Sequence, residues 1–64
     1  MSAIEMIEAA RDYNASCSDA DARSRAETLK GLELHFTEGT DTVHTHLALQ
    51  GVLVDCKDAW WSNQ

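Results

Sequence analysis

The chain has 64 residues, with 11 acidic side chains against 5 Lys and Arg and a formal net charge of -6. One small domain, residues 1–64, is expected, with little room for a catalytic site and its supporting shell. The acid excess argues against direct binding to nucleic acid or to an anionic membrane, both of which need basic surface.

The first segment, MSAIEMIEAARDYN, opens with Ser2 followed by Glu5, the signature of a capping box. Ala3, Met6, Ile7, Ala10 and Tyr13 recur at helical spacing. A helix is predicted from about Ser2 to Tyr13. Next, CSDADARSRAETLKG places Asp19 before Arg23 and Asp21 before Arg25, acid first at i and i+4. Lys30 and Gly31 read as a helix end, so a second helix is predicted over about Asp19 to Lys30. The alternative is one long bent helix.

From Leu32 the pattern turns to alternation. Leu32, Leu34 and Phe36 alternate with polar residues; Val43, Thr45, Leu47 and Leu49 follow, then Val52 and Val54. With Gly in EGTD and in QG, this reads as three antiparallel strands in a meander. The expected fold is therefore α+β, with one or two N-terminal helices packed on a three-stranded antiparallel β-meander. The expected core comprises Ile4, Met6 or Ile7, Ala10, Tyr13, Leu29, Leu32, Leu34, Phe36, Val43, Leu47, Leu49, Val52 and Val54.

On such a sheet the polar face carries His35, His44 and His46. Register places Glu33, His46 and Asp55 in one row, and His35, His44 and Lys57 in another. His44 and His46, two apart on a strand, point to one side. The three histidines are the candidate ligands of a metal site or the heart of a pH-responsive patch. Lys57 beside them opposes a cation, and the simplest reading is the solvated face of a small sheet.

Cys17 and Cys56 lack CxxC spacing, and free thiols in a cytoplasmic protein are the expectation. Cys56 falls on the apolar face, so core packing is expected of it rather than nucleophilic chemistry. No signal segment or membrane span is read in the chain. There is no Gly-rich phosphate loop or nucleophile elbow, and neither enzymatic activity nor a cofactor is expected.

Of the adjacent Trp60 and Trp61, one is expected in the core and the other, Trp61, at a contact surface. The acids Asp19, Asp21, Glu38, Asp41, Asp55 and Asp58 are the remaining candidate contact residues, since such spacing imitates a phosphate track. In length, acidity and lack of a catalytic motif, the chain resembles the small acidic phage proteins of the anti-CRISPR type. That resemblance implies a stoichiometric inhibitor acting in the cytoplasm of a bacterial host. It would dock on a basic surface of a CRISPR effector subunit and block DNA access or recruitment. The expected partner is a protein with a basic nucleic-acid-binding surface, met by a monomer or weak homodimer.

Overall fold

Ser2 begins the first helix as its spacing predicts. In the computed structural model, which describes residues 1–63, its hydroxyl accepts the Glu5 N–H at 3.1 Å. Glu5 Oε1 accepts the Ser2 N–H, also at 3.1 Å. This capping box satisfies two of the donors that a helix start leaves without partners. Helix α1 runs Ala3–Ala15. It buries Ile7, Ala10 and Asn14 and half-buries Ala3, Met6 and Tyr13.

Helix α2 runs Ala22–Glu38, later at both ends than its predicted span. Asp19 and Asp21 therefore lie outside the helix, and the i, i+4 geometry does not apply to them. Instead Asp19 accepts both guanidinium ends of Arg25, at 2.7 and 2.9 Å. Arg25 Nε also donates to Asn14 Oδ1 at 3.0 Å, and Asn14 Nδ2 donates to the Ala22 carbonyl at 2.9 Å. The buried Asn14 is thus satisfied at both ends of its amide, and the network fastens α1 to the start of α2.

Gly31 does not end this helix; it lies within it. The stop is Gly39, at φ 74 in the left-handed region that glycine adopts without a Cβ clash. The Thr40 N–H then closes onto the His35 carbonyl at 3.0 Å, the Schellman closure of a helix end.

Helix α3 runs Val43–Ser62. Thr42 caps it, with its hydroxyl accepting the Thr45 N–H at 3.3 Å while Thr45 Oγ1 accepts the Thr42 N–H at 2.6 Å. Gly51, read above as a hairpin turn, sits inside this helix.

The fold is thus three helices, and no strand occurs among the described residues. The expected α+β meander is overturned, and the physical reason lies in the spacing. Leu32 belongs to a helical stripe with Leu29 and Phe36, and Leu49, Val52, Leu53, Cys56 and Trp60 form another. The alternating residues that suggested strands, Leu34, Val43, Leu47 and Val54, lie exposed, as does Ile4. An apolar residue on each face of a helix imitates period two over a short window. A chain without proline offers nothing to force a break between Leu32 and Glu38, or between Val43 and Ser62.

The core is Ile7, Ala10, Leu29, Leu32, Leu49, Val52 and Cys56, with Met6, Tyr13, Phe36 and Leu53 packed against it. Each helix packs on the other two, α1 most extensively on α3. Cys17 and Cys56 are both free. Burial pushes the Cys56 thiol up, with Arg25 pulling in the opposite direction. The chain forms one small bundle, and none of its described helices is long and apolar enough to cross a membrane.

Candidate functional site

Antiparallel packing of α2 and α3 brings the start of one helix beside the end of the other. A groove of about 620 Å³ opens there. From α2 and its cap come Asp21, Ser24, Arg25 and Thr28. From α3 come Ala48, Gly51, Val52, Asp55 and Asp58. The small side chains make the groove: a Cβ added at Gly51 would meet no atom within 4 Å. Ser24, Thr28, Ala48 and Gly51 are not among the candidate contact residues that the sequence offers. Their signal is small size at helical spacing, four apart on α2 and three apart on α3, and it shows once both segments are read as helices.

The electrostatics follow from where the cation is spent. Arg25 directs its guanidinium to Asp19 and Asn14, with its side chain only 12% exposed. The ion pair holds the Asp19 carboxyl below its ordinary value, chiefly through the Arg25 hydrogen bonds. Among the described residues no ion pair engages Asp21, Asp55 or Asp58. Asp21 precedes α2 but makes no side-chain cap hydrogen bond, so its oxygens remain open to solvent. Three exposed carboxylates thus share a groove whose one arginine is already committed.

The other candidate contact residues are scattered. Asp19 is engaged with Arg25. Glu38 lies at the far end of α2, roughly 25 Å along the helix from Asp21. Asp41, in the α2–α3 connection, contacts His46 Nε2 at 3.2 Å. Trp61 is 69% exposed near the end of α3, and its ring centroid lies 6.0 Å from that of Trp60. Trp60 is half-buried against Tyr13, with ring centroids 5.2 Å apart.

The histidines do not gather. His35 Nδ1 is 3.1 Å from Thr40 Oγ1, His46 meets Asp41 and the edge of Phe36, and His44 is exposed. Residues two apart point to one side on a strand but to nearly opposite sides on a helix. The expected rows also dissolve: Glu33 accepts both guanidinium ends of Arg11, at 2.8 and 2.9 Å, and Asp55 faces the groove. Among the described residues no group of three or more His, Cys, Asp or Glu side chains is placed to hold a metal ion.

Comparison with protein-family models, curated proteins and solved structures gives no match for this chain.

Proposed function

We propose that the protein is a non-enzymatic binding protein that presents acid to a basic, nucleic-acid-handling surface of a partner protein. The observation that carries this reading is the gathering of Asp21, Asp55 and Asp58 on one groove while Arg25 is held by Asp19. Carboxylates without a local counter-ion gain most from an incoming Lys or Arg. The net charge of -6 adds long-range attraction toward such a surface. A CRISPR effector subunit, the partner class the resemblance implies, offers a surface of this kind, and occupying it would block DNA access or recruitment.

The test is a DNA-binding assay on a purified CRISPR effector complex with this protein as competitor. Wild type is compared with an Asp21→Asn, Asp55→Asn, Asp58→Asn variant at low and high salt. The expected outcome is displacement of DNA by wild type at low salt, with at least about a tenfold loss in potency for the triple variant. High salt should weaken wild type steeply. Displacement that survives both the substitutions and the salt overturns the electrostatic reading.

A further inference from the structure

Helix α3 carries a second apolar face. Leu49, Val52 and Cys56 face the core, yet Leu47, Val54 and Trp61 are 59%, 55% and 69% exposed. They lie seven residues apart, two helical turns each, and so form one ridge along the helix. Val43, one turn before Leu47 and 74% exposed, extends it. A seven-residue apolar repeat supplies one of the two rows of a seam along which a second helix lies; Gln50 and Lys57 hold the other row between Leu47 and Trp61.

The ridge borders the acidic groove. Asp58 is four residues after Val54 and three before Trp61, so it neighbours both on the helix surface. Asp55 follows Val54 and lines the groove with Asp58. One flank of the ridge is therefore acidic and without ion pairs among the described residues. Within the ridge the one cation is Lys57.

From this we infer that α3 docks a basic amphipathic helix of a partner protein. Its apolar anchors would lie along Leu47, Val54 and Trp61, and its Lys or Arg flank over Asp55 and Asp58. The inference rests on the acid-presenting function proposed above and names the form of the partner. Charge decides against a second copy as the occupant. Two chains of net charge -6 repel, and each ridge offers a copy's acids a single lysine. The same sign excludes an anionic lipid surface.

The probe is a synthetic amphipathic helix of Leu and Lys, about 18 residues long, matched to the length of the ridge. A peptide of the same composition, shuffled to abolish the apolar face, is the control. Affinity is read by anisotropy of a labelled peptide, and circular dichroism confirms that each variant keeps its helices. The amphipathic peptide should bind at least about tenfold more tightly than the shuffled one. Leu47→Ser with Val54→Ser should remove that difference, and Trp61→Ser alone should reduce it. Asp55→Asn with Asp58→Asn should weaken binding and flatten its salt dependence.

Equal, salt-sensitive binding of both peptides, unaffected by the ridge substitutions, overturns the helix-docking inference and leaves the acidic reading standing. Binding of the amphipathic peptide that ignores salt and both aspartate substitutions overturns the acidic reading and, with it, the basic occupant. A ridge-dependent dimer in sedimentation analysis assigns the face to a second copy and also overturns the inference.

Discussion

The three glycines of this chain do different work at the level of single residues. Gly31 and Gly51 sit inside helices, where glycine costs about 1 kcal/mol relative to alanine. Neither position has an atom within 4 Å of where a Cβ would stand. Gly31→Ala and Gly51→Ala should each raise stability by about 0.5–1 kcal/mol, measured by urea denaturation. Gly39 has the same open surroundings but a left-handed backbone, φ 74. Gly39→Ala should lower stability by about 1 kcal/mol, because a side chain there meets its own backbone. A stabilising Gly39→Ala would mean that the α2 end is not left-handed in solution. The contrast also marks what the residues alone conveyed. All three glycines read as breaks, and in the structure one of them is. The conformation that separates Gly39 from the others belongs to the closure that ends α2, where the Thr40 N–H reaches the His35 carbonyl.

Among the elements, the helices are joined by a few polar clasps of defined geometry. Arg11 on α1 grips Glu33 on α2 through two parallel hydrogen bonds, the strongest form of such a pair. The guanidinium holds the Glu33 carboxyl below its ordinary value of 4.5. A carboxyl lowered by folding contributes stability that is complete above its unfolded pKa. That contribution is lost as pH falls through the folded value. Wild type should therefore melt above Glu33→Gln at pH 7, with the gap steady down to about pH 5 and closing below about 4.5. A gap as wide at pH 3 as at pH 7 would show that the pair acts through packing rather than charge. Both side chains are more than a third exposed, so salt should narrow the gap as well.

The type of the later elements is less legible in the apolar pattern than that of the first. Helix α1 was legible because its capping box and single apolar stripe agree. Helix α3 was not, since Leu47 and Val54 on one face and Leu49 and Val52 on the other give alternation. Over so few residues that alternation outweighs the helical period. The candidate site suffered in turn. Charge alone marks Asp21, Asp55 and Asp58 as candidates, but their meeting depends on α2 and α3 lying antiparallel. The histidine rows depended on strand register and vanished with it.

For the molecule as a whole, stability rests on few side chains. Ile7, Leu29, Leu49 and Cys56 are the largest fully buried ones. A domain of this size has roughly 3–10 kcal/mol to lose, and truncating one buried leucine removes about 2–5. Leu49→Ala should lower Tm by at least about 10 °C and leave a measurable unfolded population at room temperature. A shift of only a few degrees would show that the bundle closes around the cavity. Trp61→Ala, on the exposed ridge, should leave Tm nearly unchanged. The described bundle measures 35 × 21 × 16 Å, so the acidic groove and the apolar ridge occupy a large share of one long side. A single partner element could cover both.

The amino-acid sequence by itself determined the charge and the first helix with its Ser2–Glu5 cap. These depend on composition and on contacts within a turn or two of chain. Tertiary structure alone decided that the second half is helical, which face of α3 is covered, and which carboxylates meet. The spacing of apolar residues shows that a face is apolar; only the neighbouring helix determines whether that face is buried or left open. Helix α1 and α2 take the Leu49, Val52 and Cys56 side of α3, and Leu47, Val54 and Trp61 remain outside for that reason.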